Sequence, residues 1–358
     1  WSNAIACIHP DEWIDHNQLS SNSYMACFGV REGEDIEAIF MRTQKAGLPV
    51  TTWPDLPPEV QANSELYSRA IYLRNTRFYL PIHQSLSKEK ISTYVKKQLA
   101  LKSFGYYLKS SSKEEWEACS KNCQHNNMLQ SWEYGSAKSK AEGWNPKRFI
   151  VMNDIDNPIA LVQILHKGLP FIGGAARLNR GPLLIERKTT VNKTQLKLII
   201  LNLLIKESRK QRWWMFQAAP ELSKSNFAQF GMKALGFNKL PLIPWASGIL
   251  PLDGDDQSLL MSFNGKWRNS MRKGEKLGVK VTRKECSGGE LDLLLKNYNK
   301  LQNKRDFKGL SDSLLGGLAG QKGSHWGFNL FIARDNNLEA IDEDPLGILV
   351  SIRSGDTA

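Results

Sequence analysis

The run from Leu196 to Ile205 constrains the fold of this chain more than any other stretch. It is the longest apolar segment, interrupted only by Lys197 and Asn202. It falls short of the ~18 apolar residues needed to cross a bilayer, so it reads as a buried helix rather than a membrane span. Amphipathic periodicity extends that helix over residues 193–210. An extended segment at 176–183 precedes it, interrupted by Gly181-Pro182, and a strand at 213–218 follows. The run therefore joins two extended segments through a buried helix; the pattern of a small α/β layer, strand, helix, strand and helix, is read over residues 1–105. Trp213 and Trp214 read as core rather than as a stacking platform.

The first hundred residues predict strands at 24–30 and 77–83 and a helix over 33–46 closed by Gly47. A further helix capped by Ser87 carries Ile91, Tyr94, Val95 and Leu99. Pro54, Pro57 and Pro58 are expected to break regular structure between them. His83, after the second strand, reads as a structural loop histidine. Residues 101–114 read as a linker because of their polar Lys-Ser-Ser-Ser-Lys core. Beyond it the pattern predicts helices at 116–123, 128–142 and 227–235, and two strands at 149–152 and 159–165 joined by a turn. The last third predicts a strand at 247–252, a basic helix, a strand at 279–282, helices around 291–298 and 310–319, and strands at 328–333 and 347–352. The middle and last segments share a plan, helices followed by a strand hairpin, without a close sequence repeat.

Charge narrows the choice of partner. The 358 residues carry a formal net charge of +12, and the excess lies almost wholly in the middle third. Such a chain suits an anionic partner: nucleic acid, a nucleotide-linked substrate or an anionic lipid headgroup. Locally, residues 266–284 hold eight Lys or Arg and one acid, Glu275. Leu259, Leu260, Phe263, Trp267 and Met271 recur at helical spacing, so an apolar underside is expected there. Lys266, Arg268, Arg272, Lys273 and Lys276 mostly fall off that face and could hold phosphate or carboxylate. The plainer reading is a solvated surface helix. Five cysteines imply no disulfide framework and a reducing compartment. Cys119 and Cys123 read as helix-face residues rather than zinc ligands. No Gly-x-Ser-x-Gly motif or Cys/His/Asp set marks a dedicated nucleophile. The chain starts at Trp1 rather than Met and stops just after a strand-like run, so a longer parent protein is expected.

Two stretches resemble known families. Residues 45–59 (KAGLPVTTWPDLPPE) followed by 80–86 (LPIHQSL) resemble the C-terminal small domain of DegT/StrS-type sugar aminotransferases. The resemblance covers about residues 1–105. It implies an upstream large domain that binds pyridoxal phosphate, and a homodimer formed through the aminotransferase part. It assigns no catalytic residue here. Residues 127–134 (NMLQSWEY), 179–182 (NRGP), 235–237 (LGF) and the 266–278 helix, in that order, resemble the FemAB-type branch of the GNAT acyltransferases. This second resemblance covers about residues 113–358. It implies a first GNAT-like domain at 113–246 and a second, truncated, at 247–358. The expected fold is therefore α/β (α+β), two tandem GNAT-like mixed sheets with flanking helices plus a small N-terminal α/β aminotransferase subdomain.

The family holds substrate phosphates with a lysine after its Gln-Ser-aromatic motif and an arginine on its basic helix. These correspond here to Lys138 or Lys140, and to Arg268 or Arg272. The expected substrate-binding set is Lys138, Arg180, Arg268, Arg272 and Lys273, with the catalytic group unassigned. A base could be Glu133, Asp306 or the substrate itself. The implied reaction is acyl or aminoacyl transfer to the amine of a nucleotide-linked amino sugar or a lipid-linked precursor. The implied donor is acyl-CoA or aminoacyl-tRNA, with no cofactor in this segment and no transmembrane segment. The expected location is the cytoplasm, including peripheral attachment at the inner face of the membrane. The rival readings are tRNA-dependent aminoacyl transfer to a peptidoglycan precursor, and a basic nucleic-acid-binding module without enzymatic activity. Against the last, the helix lacks interleaved exposed aromatics and shows no helix-turn-helix spacing.

Overall fold

A computed structural model describes residues 14–21, 25–30, 33, 35–45, 48–52, 55–82, 86–123, 125–169, 172–185, 192–242, 247–252, 254–335 and 344–357. They pack as two compact units, one within 1–124 and 147–239, the other within 125–146 and 240–358.

The first unit opens with β1 (Ile14–Ser21), β2 (Met25–Val30), α1 (Ile36–Lys45), β3 (Thr51–Thr52), α2 (Pro58–Ala62), α3 (Ser68–Thr76), β4 (Arg77–Pro81) and α4 (Lys88–Lys102). The four strands form an antiparallel sheet in the order β1-β2-β4-β3. Next come β5 (Tyr106–Ser110), α5 (Lys113–Ser120) and α6 (Trp132–Glu142), the last of which lies in the second unit. The first unit resumes with β6 (Asn145–Asn153), β7 (Pro158–Leu169), β8 (Gly173–Asn179), β9 (Leu183–Leu184), α7 (Lys193–Lys210), β10 (Trp213–Ala219) and α8 (Asn226–Ala234). Its main sheet runs β10-β8-β7-β6-β5, with β9 paired to β7.

The expected buried helix is α7. Leu196, Leu198, Ile199, Ile200, Leu201 and Leu204 are all buried. They join one hydrophobic core that runs from Phe28, Phe78 and Leu99 to Ile164 and Leu178. Helix α4 packs against both α7 and α8, so both sheets of this unit share that core. Asn202, a polar interruption of the apolar run, is accounted for: its side-chain amide donates to Ser103 Oγ at 3.2 Å. A buried amide left unpaired there would cost about 1–3 kcal/mol, more than the bond itself contributes.

The second unit adds α9 (Asp256–Ser262), α10 (Gly265–Lys276), β11 (Val279–Glu285), α11 (Gly289–Arg305), α12 (Asp312–Ala319), β12 (Trp326–Asp335) and β13 (Gly347–Ser354). Its strands form an antiparallel meander, β11-β12-β13. Helix α6 packs on α12. Both helices start at a serine whose hydroxyl accepts a backbone N–H three residues on, Ser131 from Tyr134 and Ser311 from Leu314. Ala137 and Gly317, equally far past those caps, meet where the helices cross; a Cβ at Gly317 would sit 3.5 Å from the Ala137 Cβ. In chain order, β5-α5-α6-β6-β7 is matched by β11-α11-α12-β12-β13, and in each set the strands neighbour one another in that sequence.

Several expectations are corrected. Residues 101–114 are no linker: they hold the end of α4, a 3₁₀ turn, strand β5 at the sheet edge and the start of α5. The serines that read as flexible include Ser112, which forms a capping box with Glu115. Pro57 and Pro58 do not end regular structure; Pro58 occupies the first turn of α2, where the missing N–H costs nothing. The expected strand at 247–252 is not formed. The segment is exposed and pairs with none of the described strands, and Pro251 removes a donor. Trp214 is not core. It is 73% exposed because β10 is an edge strand and alternation turns it outward. The basic helix has no buried underside: Trp267 is 74% exposed, so the one aromatic on α10 is accessible after all. His83 lies outside the described residues, as does most of the acidic turn.

Two glycine substitutions should diverge. Gly317→Ala meets only ordinary van der Waals contact and gains helix propensity, so stability should hold or rise by up to about 1 kcal/mol. A Cβ at Gly174 would lie 2.1 Å from the Lys167 carbonyl oxygen. Gly174→Ala should therefore lower stability by about 1–3 kcal/mol in urea unfolding followed by circular dichroism.

Candidate functional site

Helix α7 carries the chain from the end of β8 back to β10, and these two strands pair in parallel. Ligands of open α/β layers bind at the carboxyl ends of such strands, near the start of the connecting helix. The pair stays closed to its end: Asn179 is opposite Ala219, and the Arg180 N–H donates to the Ala219 carbonyl at 2.9 Å. Arg180 itself has φ 58°, a left-handed conformation that a non-glycine residue adopts at a cost of about 1 kcal/mol. One residue on, the Gly181–Pro182 peptide bond is cis.

Three charged side chains gather at this end. The Arg180 guanidinium lies 3.6 Å from the Glu221 carboxylate, and the arginine is largely shielded from solvent. Lys197, on α7, donates from Nζ to the Glu221 carbonyl oxygen at 2.6 Å. Asn192 caps α7, its side chain accepting from the N–H groups of Thr194 and Gln195. Two cations against one carboxylate, near a helix amino terminus, leave a local positive excess able to hold an anionic group. Burial pulls the Lys197 pKa below the usual lysine range; Glu221 raises it and Lys193 lowers it further. A half-buried lysine with that shift is a marker of functional sites as well as of structural ion pairs. Neither Lys197 nor Glu221 stands out in sequence as a site residue. The signal that could have found Lys197 is a lysine set inside an otherwise apolar helical run.

The other expected residues lie in the second unit. Lys138 sits on α6 and pairs with Glu142 at 2.7 Å, one turn along the helix. Lys140 is exposed on the same helix, and Glu133 is buried on it beside Gly323. Arg268 donates from Nη1 to the carbonyls of Met261 at 2.7 Å and Phe263 at 3.0 Å. It thus closes the end of α9 and fixes the turn into α10. Arg272 and Lys273 are exposed on α10. Asp306 ends α11 in a left-handed conformation. The structure therefore gathers Arg180 with Lys197 and Glu221 on the first unit, and keeps Arg268, Arg272 and Lys273 together on one helix of the second. Cys286 is buried, and burial first, then Glu290, pushes its pKa up to about 11. Its thiolate is suppressed at neutral pH.

The Lys197 shift has a sign that can be measured. The folded chain holds the proton more weakly than the unfolded chain does. The charged lysine therefore costs stability below its folded pKa, and that cost vanishes as pH rises past the unfolded value. Lys197→Met should raise the melting temperature at neutral pH, with the difference narrowing in alkaline buffer; thermal melts across that range check it. A constant difference would place the effect elsewhere.

No protein-family profile and no curated protein matches the chain. Among solved structures, it is similar to the crystal structure of an aminoglycoside antibiotic 6'-N-acetyltransferase from Acinetobacter baumannii, at 13% identity and a TM-score of 0.27. That alignment covers 41% of this chain and 100% of the other. A score that low carries no argument about fold or activity.

Proposed function

We propose that this chain is an N-acyltransferase of the FemAB/GNAT type. Its acceptor is the amine of a nucleotide-linked amino sugar or a related cell-surface glycan precursor. The observation that carries this reading is the repeated order strand-helix-helix-strand-strand, with α6 and α12 packed at matching positions. It supports the tandem arrangement that the motifs at 127–134, 179–182 and 266–278 imply.

The chemistry requires little of the protein beyond placement. The acceptor amine, once deprotonated, attacks the activated acyl carbonyl. A C–N bond forms and the donor's C–S or C–O ester bond breaks. The leaving thiolate or alkoxide takes up the proton. Alignment of the reactants contributes several of the ~7–11 kcal/mol available from effective molarity. Backbone N–H groups facing the carbonyl oxygen stabilise the charge that develops there. Arg180 and Lys197, on the first unit, suit a phosphate group. Arg272 and Lys273, free of the capping work that occupies Arg268, suit an acceptor phosphate. Lys138 joins them by exchanging its partner Glu142 for the ligand. Glu133, buried on α6, is the carboxylate best shielded to take the amine's proton; Asp306 is exposed.

The antiparallel sheet of β1–β4 is proposed as the small domain of a DegT/StrS-type aminotransferase. Its pyridoxal-phosphate domain would lie upstream and form the amine that is then acylated. The parent protein, incubated with a nucleotide-linked amino sugar and acyl-CoA or charged tRNA, should yield an acylated sugar by mass spectrometry. Unmodified sugar with every donor would contradict the reading. Ribonuclease abolishes a tRNA-dependent reaction and spares a thioester-dependent one. The Arg272→Gln/Lys273→Gln pair should raise the acceptor KM about tenfold or more, from the loss of charge-assisted bonds, with kcat nearly unchanged.

A further inference from the structure

The apolar face of α10 is uncovered. Trp267, Ser270, Met271 and Gly274 recur at spacings of three and four, which sets them on one side of the helix. Trp267 is 74% exposed and Met271 44% exposed. Met261 and Phe263 just before the helix and Leu277 just after it are exposed as well. On a regular helix every cation of α10 lies about 100° or more round from Trp267. Among the described residues no ion pair engages those cations, and Glu275 is the one acid on the helix itself. Both faces of one amphipathic helix therefore stand in water. Single exposed apolar residues need no explanation, but a tryptophan and a methionine aligned opposite a cationic face do.

We propose that α10 lies on an anionic lipid surface. Trp267 and Met271 enter the boundary between headgroups and acyl chains, where an indole's apolar body and polar N–H are both accommodated. The cations stand among or just above the headgroups. A helix is about 10–12 Å across, close to the screening length of about 8–10 Å at moderate salt. Even the cations farthest from the lipid therefore feel its charge. A nucleic acid would take the cations and leave Trp267 and Met271 wet. A second copy of the helix would cover the apolar face but bring like charges together. An anionic bilayer satisfies both faces at once. The inference rests on the exposed face of α10 and stands whether or not the chain transfers acyl groups.

The test uses the full chain and sedimentable vesicles of phosphatidylcholine, alone or with about one third phosphatidylglycerol. The protein should sediment with the anionic vesicles, less so as salt rises, and stay in solution with the neutral ones. Trp267→Ser with Met271→Ser should lower apparent affinity about tenfold, because the insertion term is lost. Both side chains are exposed, so the circular dichroism spectrum should not change. An unaltered spectrum with unaltered sedimentation would overturn the proposal, as would absence of the wild-type chain from the anionic pellet. RNA binding through Arg272 without vesicle binding would assign the helix to nucleic acid instead. Lipid-free self-association that the double serine variant abolishes would assign it to a second copy.

Discussion

Burial of one helix face after another along α7 is the constraint on which the first unit depends. An apolar run of this length cannot stay in water and is too short to cross a membrane. It must lie against a sheet, and the chain must return alongside the strand it left. A strand-helix-strand crossover that does so makes the two strands parallel. The consequence is geometric: the last residue of β8, the first turns of α7 and the residues after β10 all arrive at the same end. Arg180, Lys197 and Glu221 meet there because of the crossover, although 24 residues separate Lys197 from Glu221.

Polar groups on α7 are placed to serve that burial. Asn202 reaches the turn before β5, and Lys206 shares the same serine oxygen at 2.9 Å, so the helix is pinned in register on its sheet. Lys197 is held by a carbonyl just past the carboxyl end of the strand pair. The second unit solves its packing differently. Two short helices cross at Ala137 and Gly317, where small residues meet, and the leucines of α12 are buried.

What could be read from residue order follows from how local each cause is. The span of α7 was legible because its apolar run, its end and its length are all contained in one window. The hairpin of β6 and β7 was legible from its turn residues. Strand β5 was not: five residues at a sheet edge, with Tyr107, Lys109 and Ser110 facing water, look like polar linker until a partner strand is known. Segment 247–252 failed in the opposite way. Its composition is strand-like, yet pairing is a property of two segments and the second is lacking among the described strands. The amphipathic pattern placed Trp267 and Met271 on one side of α10 but ran them together with Leu259 and Leu260, which belong to α9 beyond a break at Phe263 and Asn264; periodicity also does not say whether the chain supplies a cover. Arg268 reads as a phosphate ligand from charge alone; its use as a cap for α9 depends on a turn that only the fold reveals.

Native-state hydrogen exchange tests most directly the claim that α7 holds the first unit together. The amides of Leu198 through Leu204 and of β8 should exchange only through global unfolding, with a free energy matching that from denaturant melts, while those of α10 exchange far faster. Exchange of the α7 amides through local opening, at rates like those of α10, would contradict the account.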